Sequence, residues 1–174
     1  MAFNAKQYDR PSTGVRIWII LLAAAVIVGA AVIMVGIVYR NTRPYQPPAW
    51  DGTAVTGEPS PPEDLGYGVG GMGDGTGFKF GLVSKWVRNG DGSLPVWFTD
   101  PAENEAYLMI RIRRASDDAI IYESGLIRPG EYVETLQPRS EPESEPIEVK
   151  VSIYSFEPET YHSLGTFNLG GTVE

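Results

Sequence analysis

The chain contains no cysteine and only one histidine among its 174 residues. Without cysteine it can form neither a disulfide nor a thiolate site, and the usual structural zinc sites are also excluded. His162 lies in a predicted surface loop, where an ordinary loop residue is favoured over the base of a hydrolase triad. Acidic pairs such as Asp100 with Glu103 and Asp117 with Asp118 fit turns, and no recognised calcium-ligand spacing surrounds them. The sequence therefore predicts no enzyme and no catalytic, cofactor or metal site.

Basic residues are scarce beyond the first quarter of the chain. Residues 1–43 carry five basic side chains and one acidic, which gives +4; residues 44–174 carry nine and twenty-one, which gives −12, and the sum is −8. An acidic domain repels phosphate backbones, so we expect no nucleic acid partner. A basic or neutral protein partner remains allowed, although negative charge also serves solubility alone.

A nucleotide site is not expected either, although Gly68, Gly70 and Gly73 match the spacing GxGxxG. That motif holds a pyrophosphate only where a strand leads into the glycines and a helix begins at them. Here a proline-rich segment precedes the glycines and a β-type segment follows. We therefore interpret the match as fortuitous.

One long apolar run is present, from Ile17 to Val38, without a single charged side chain. At ~1.5 Å per residue its twenty-two residues make a helix of about 33 Å, which covers the ~30 Å hydrocarbon layer of a membrane. Signal peptides have shorter apolar regions of roughly 7 to 15 residues. Residues 17–38 are therefore predicted to be an uncleaved signal anchor that spans the plasma membrane once.

The orientation of this span follows from its flanks, because basic residues in short flanks resist translocation. Three basic residues precede it and two follow it: Lys6, Arg10 and Arg16, then Arg40 and Arg43. Residues 1–16 form a stub, whereas all foldable material comes after the span. We expect a cytoplasmic amino terminus and an extracellular carboxyl domain; the inverted arrangement would keep that domain in the cytoplasm.

Small residues within the span lie at helical spacing. Ala25, Gly29 and Gly36 fall on one stripe, where a second helix could approach closely. They predict a helix–helix contact and a homo-oligomer, although glycine and alanine are common in any membrane helix.

Residues 39–77 are predicted to be a flexible linker. Six prolines occur between Asn41 and Asp64, and seven of the twelve residues from Gly66 to Gly77 are glycine. Proline favours extended structure and glycine loosens the backbone, so neither part is expected to pack. The folded domain is then residues 78–174.

In residues 78–174 the apolar pattern has period two with frequent turn residues, which is typical of an antiparallel β-protein. No segment there has a convincing helical pattern, so the fold class is all-β, a single β-sandwich. Seven strands are predicted: Phe78–Val87, Leu94–Thr99, Ala106–Arg113, Ala119–Glu123, Glu131–Leu136, Ile147–Phe156 and Leu164–Val173.

Four tyrosines within these strands form a candidate binding face: Tyr107, Tyr122, Tyr132 and Tyr154. Large rigid rings that project together bind sugars or proteins. The competing interpretation is that the rings pack between the two sheets.

Three stretches of the domain carry a resemblance: PAENEAYLMIRIRR, IIYESGLIRPGEYVETL, and IEVKVSIYSFEPETYHSLGTFNLGGTV. Together they resemble a family of small Gram-positive, clostridial-type, membrane-anchored proteins with one extracytoplasmic immunoglobulin-like β-sandwich. The acidic stretch PRSEPESEP departs from the shorter turn of that family. The resemblance implies an immunoglobulin-like fold and a surface location but no defined activity. Seven residues carry it: Asn104, Tyr122, Ser124, Gly125, Ile127, Pro129 and Gly130.

These observations predict a single-pass membrane protein that displays a β-sandwich on a stalk as a non-enzymatic binding, adhesion or scaffold module. The expected partner is another envelope protein or complex. The alternative is an accessory subunit of a cell-envelope conjugation or secretion machine, in which the span itself contacts other membrane helices.

Overall fold

A computed structural model describes residues 13–41, 46–71, 77–140 and 145–174. The chain divides into two compact units, Met1–Gln46 and Pro47–Glu174. The first contains the helix and the second all of the strands.

The helix α1 covers Thr13–Asn41. Its described side chains are those of Trp18, Leu21, Leu22 and residues 24–35, and all of them are exposed. Among the described residues no helix is long and apolar enough to cross a membrane.

The described residues of the second unit form nine strands in two antiparallel sheets, in agreement with the all-β fold predicted from the sequence. One sheet has the order β1-β7-β4-β3-β2 and the other the order β6-β5-β8-β9. A short 3₁₀ turn at Glu63–Leu65 precedes β2. The strands are β1 (Val55–Thr56), β2 (Tyr67–Gly71), β3 (Lys79–Val83), β4 (Leu94–Asp100), β5 (Tyr107–Arg114), β6 (Ile120–Glu123), β7 (Glu131–Leu136), β8 (Ile147–Phe156) and β9 (Ser163–Val173).

The core lies between the sheets because alternate residues of each strand point inward. On β5 the inward residues are Leu108, Ile110 and Ile112, and on β8 they include Val151 and Ile153; all five are fully buried. The two strands pair over the whole length of β5, so the alternation of one reinforces that of the other. This pairing leaves one side of the four-stranded sheet facing away from the core.

Residues 47–71 belong to the β unit, although the sequence predicted a flexible linker over residues 39–77. β1 pairs with β7, and β2 pairs with β3 along all five of its residues. Small residues make the second pairing fit, because a Cβ on Gly81 would collide with the Tyr67 hydroxyl, which donates a 2.9 Å hydrogen bond to Thr99. Specific contacts thus order a segment whose composition indicates disorder.

The segment after β6 contains several close fits. The Tyr122 hydroxyl donates to the carbonyl of Gly92 at 2.9 Å, and the Ser124 hydroxyl accepts a 3.0 Å hydrogen bond from the Ile110 amide. Gly125 lies against the backbone of Asp51, where a Cβ would collide. These contacts join β6 to the loop before β4, to β5 and to the segment that precedes β1.

Candidate binding face

The four-stranded sheet turns one surface away from the core, and we call it the outer face. It carries the alternate residues of β5, namely Tyr107, Met109, Arg111 and Arg113, together with Tyr154 of β8, which lies opposite Met109. Met109 is buried beneath the larger side chains, and the other four are partly exposed. The outer face is therefore aromatic at one end and basic towards the other.

The aromatic end consists of five rings that we call the aromatic cluster: Trp50, Tyr107, Tyr154, Phe156 and Tyr161. Its floor is a small apolar group of Met109, Leu126 and Phe156, separate from the main core. The ring centroids of Trp50 and Tyr107 are 4.8 Å apart at 75°, and those of Trp50 and Tyr161 are 6.4 Å apart at 68°. Edge-to-face contacts of this kind hold the rings in defined orientations.

Trp50 reaches this cluster because the chain on both sides of it is fixed. The Leu126 amide donates to the Ala49 carbonyl at 2.8 Å, and the Asp51 amide donates to the Leu126 carbonyl at 2.9 Å. The Asp51 carboxylate accepts a further hydrogen bond from the Gly125 amide at 2.7 Å. The Arg128 guanidinium lies 3.8 Å from the centre of the indole, a cation–π contact. Trp50 is thus held between a tyrosine and an arginine, yet it remains 39 % exposed.

The basic end of the outer face is an ion-pair network. The Glu123 side chain is only 9 % exposed. One of its carboxylate oxygens forms an ion pair with Arg111, and the other forms an ion pair with Arg139. Asp118 is 3.9 Å from the Arg113 guanidinium and 3.6 Å from the Lys150 ammonium. Four basic and two acidic side chains give this network a net charge of +2, on a unit whose charge is otherwise negative.

Tyr154 joins the two ends. Its ring lies under the Arg111 guanidinium at 5.3 Å, and its hydroxyl accepts a 3.2 Å hydrogen bond from Arg113. Burial acts to raise the pKa of Tyr154, but hydrogen bonds with Arg113 and Ser152 and the charges of Arg113 and Arg111 outweigh it and lower the pKa. The arginines are therefore placed to stabilise negative charge at this position.

The structure separates the four tyrosines predicted to form one face. Tyr107 and Tyr154 lie together on the outer face, as described. Tyr132 is on β7 of the other sheet, where its ring stacks on Trp97 at 5.9 Å. Tyr122 is 2 % exposed and points into the core, because its place on β6 directs the ring inward. The predicted face is thus reduced to two of its four members.

Three residues of the face could not be predicted from the sequence. The alternation of β5 already places Arg111 and Arg113 opposite the core, but nothing local to Trp50, Arg128 or Tyr161 indicates that they meet. They come from three loops that the fold brings together. Tyr161 has φ = 56°, unusual for a residue with a side chain, and this conformation aims its ring at Trp50.

The remaining candidate residues lie elsewhere. Ala25 and Gly29 are exposed on α1, and a Cβ on Gly29 would contact nothing within 4 Å. Gly36 is part of the same helix, and its surroundings lie outside the described residues. His162 is exposed in the turn before β9. Within the described ranges, no three histidine, cysteine or acidic side chains cluster in a way that could hold a metal ion.

Asp100, one of the acidic residues considered for a metal, is instead a buried structural group. It is fully inaccessible at the end of β4, and burial raises its pKa to about 8. One carboxylate oxygen accepts a 2.6 Å hydrogen bond from Asn104, while the other has no hydrogen-bond partner of good geometry among the described residues. The Asn104 side chain also pairs with both backbone groups of Lys79, so the pair ties the turn after β4 to β3.

Comparisons with protein-family models, with curated proteins and with solved structures give no significant match to this chain.

Proposed function

We propose that this chain is a single-pass membrane protein whose β unit is an extracytoplasmic, immunoglobulin-like module that binds another protein without catalysing a reaction. The observation that carries the proposal is the outer face. It presents tryptophan, tyrosine and arginine side chains, which dominate the energetics of protein interfaces.

The proposal of an immunoglobulin-like topology rests on strand order. In constant-type immunoglobulin domains strands A, B, E and D form one sheet and C, F and G the other. Here β3, β4 and β7 take the places of A, B and E, and β5, β8 and β9 those of C, F and G. β6 follows C as strand D does, but it pairs with β5 and so extends the second sheet.

The outer face suits binding because its large side chains are already positioned. Ring contacts and ion pairs fix Trp50, Tyr107, Tyr154 and Arg111, so little rotamer freedom remains to be lost when a partner binds. The ion-pair network carries a charge of +2, and Glu148, exposed on the same side of β8 as Lys150, lowers the charge of the face to +1, so the face suits a neutral or acidic contact surface.

The proposed anchor is the uncharged stretch 17–38, which lies within α1. The large apolar side chains described on this helix are exposed, among them Trp18, Leu22 and Ile27. Lipid would cover such a surface. The cytoplasmic placement of the amino terminus rests on the sequence alone.

The proposed relationship to the small Gram-positive family rests on residues that have structural roles here. Tyr122, Ser124 and Gly125 make the close fits that follow β6, Asn104 binds Asp100 and Lys79, and Gly130 has a positive φ of 81°. Such residues specify a fold rather than an activity, so the resemblance adds no substrate or ligand.

A photocrosslinking experiment tests the binding face in intact cells that express the full chain. A benzophenone amino acid replaces Lys150, which is exposed on the outer face, or Glu134, which is exposed on β7 of the other sheet. We expect a crosslinked partner at position 150 and none at position 134. Equal crosslinking at both positions, or none at position 150, contradicts the proposed face.

The anchor and its orientation are tested separately, using the absence of cysteine. A Lys150→Cys chain is treated with a membrane-impermeant maleimide before or after lysis, and a Gln7→Cys chain is the control. We expect position 150 to react in intact cells and position 7 only after lysis. The reverse pattern places the β unit in the cytoplasm. Purification in mild detergent then separates a display module from a subunit of an envelope machine, because only the subunit is recovered in a stoichiometric complex.

A further inference from the structure

The four-stranded sheet ends at a long strand with one unpaired side. β9 pairs with β8 from Ser163 to Val173. On its other side the described residues supply a partner only at the carboxyl end, where Val173 forms a parallel bridge with Trp86 and Glu174 exchanges hydrogen bonds with the 86–88 segment. The backbone from Ser163 to Thr172, which we call the β9 edge, therefore presents hydrogen-bonding groups to an added strand.

The β9 edge has neither a charge nor a proline to protect it, and its bulge at Leu164 lies near one end of the strand. Its strand, SLGTFNLGGTV, has eleven residues without a charge or a proline, in a chain of which 21 % of the residues are charged. At the opposite edge of the same sheet, β6 has four residues and is covered by the bridge between Tyr122 and Pro138. Natural edges are commonly blocked by lysine, proline or bulges, so a long uncharged edge is open to pairing.

We infer that the β9 edge pairs antiparallel with the β9 edge of a second copy of this chain, about a two-fold axis near Phe167 and Asn168. An isologous pair of this kind closes on itself. With the axis at either residue, every residue from Ser163 to Thr172 faces an uncharged residue or its own copy. The strand thus meets no like charge across the axis, although the unit carries a charge of −12.

The inner side of β9 supplies apolar contacts to this pair. Phe167 and Leu169 are partly buried residues at the margin of the core, and Phe167 packs on Phe80 with centroids 5.1 Å apart. In the antiparallel pair the Phe167 ring of one copy lies beside Phe167 or Leu169 of the other. Aromatic and aliphatic cross-strand pairs of this kind stabilise a sheet.

The paired molecule has one continuous sheet of eight strands, four from each copy. The two outer faces then form a single surface with two aromatic clusters. This inference stands apart from the proposed function, because it depends on the edge of the sheet and not on its outer face.

Single-cysteine variants of the full chain in detergent micelles test the pair. Asn168→Cys and Thr166→Cys, alone or mixed, place a thiol near the axis, whereas Thr172→Cys lies on the same strand about 30 Å from its own copy, at ~3.4 Å per residue. A disulfide needs Cα atoms within about 7 Å of one another. Under mild oxidation we expect a covalent dimer from Asn168→Cys alone if the axis lies at Asn168, or from the mixture of Thr166→Cys and Asn168→Cys if the axis lies at Phe167, and none from Thr172→Cys. Equal yields at all positions, or no dimer near the axis, overturn the inference.

Sedimentation of the full chain measures the same contact without a crosslink. Asn168 is exposed and accepts a hydrogen bond from Ser152, which Asn168→Ala and Asn168→Lys both remove, so the two variants differ in charge. Because like charges near each other across a strand pair are destabilising, we expect Lys to raise the dimer Kd about two- to five-fold over Ala. Equal Kd values for Lys and Ala overturn the pairing.

Salt distinguishes the second copy from a foreign strand of opposite charge. Two units of −12 repel each other, and added salt screens that repulsion, so we expect the dimer Kd to fall as salt is raised from low concentration. A dimer that weakens with salt overturns the proposed contact, and so does a chain that stays monomeric at every concentration.

Discussion

The two parts of the β unit are held by different forces. Strands β3 to β9 enclose a core whose inward residues are almost fully buried, whereas residues 47–71 lie on the surface of that core through a few specific contacts. The stability of the first part comes from buried apolar area, to which many side chains contribute. Near Trp50 the second depends on single fits such as Gly125 against Asp51, so one added methyl group can release that stretch while β2 stays paired with β3.

The largest expected effect is on the core itself. Ile153 is fully buried on β8, and Ile153→Ala should lower the free energy of unfolding by about 2–5 kcal/mol, through lost transfer energy and the cavity left behind. Leu164→Ala, at an exposed position of β9, should change it by less than about 0.5 kcal/mol. Urea unfolding followed by tryptophan fluorescence measures both variants. Equal losses would mean that burial does not distinguish the two positions.

Release of the amino-terminal segment should be smaller and local. In Gly125→Ala the added methyl group collides with Asp51, at a cost of about 1–3 kcal/mol. Hydrogen exchange should accelerate at the amides of Asp51 and Leu126 and stay slow at Ile153. Gly170→Ala is the control, because a Cβ there meets only the Val149 carbonyl at 3.8 Å. Uniform acceleration would show that the segment and the core unfold together.

A buried polar group within the core part should make stability depend on pH. Burial raises the pKa of Asp100 to about 8, so the folded state holds a proton that the unfolded state releases near pH 4. This contribution is fully present below pH 4 and falls by up to about 1.4 kcal/mol per pH unit until pH 8. Asp100→Asn removes the titration and should flatten the dependence in urea titrations at pH 5, 6, 7 and 8. An unchanged slope would show that Asp100 does not titrate in this range.

The smallest expected effect is at the arginine that covers Trp50. Arg128→Ala removes a cation–π contact of about 0.5–1 kcal/mol, and exchange at Asp51 should rise without a change at Ile153. Arg128→Lys keeps the charge but loses the planar stacking, so it should fall between Ala and the parent chain. If Lys behaves like the parent chain, the stacking of the guanidinium contributes nothing.

The difference between strands β3 to β9 and residues 47–71 also explains which elements could be predicted from the sequence. All seven strands predicted in residues 78–174 are present, with ends shifted by a few residues, because alternation in β5 and β8 reports directly which side is buried. β1 and β2 were not predicted. In β2 the sequence YGVGG has too few side chains to alternate, and its pairing depends on distant residues such as Gly81 and Thr99.

The candidate site was predictable only in the part that lies on strands. Tyr107 and Tyr154 could be found because adjacent strands carry them to the same surface. Tyr122 instead lies directly opposite the inward residue Ile112 of β5, a pairing that the four-residue strand IIYE does not reveal. Trp50, Arg128 and Tyr161 come from loops, where no period relates sequence to direction.

The segment Ala49 to Asp51, which is hydrogen-bonded to Gly125 and Leu126, has a mechanical consequence. The chain enters the β unit at its amino-terminal end, so in the proposed membrane-anchored arrangement tension between the helix and a bound partner would reach Ala49 and Asp51 before any strand. Two backbone hydrogen bonds, one carboxylate and one ring resist that pull. They should yield first, and each residue released lengthens the tether by up to about 3.5 Å while the sandwich stays folded.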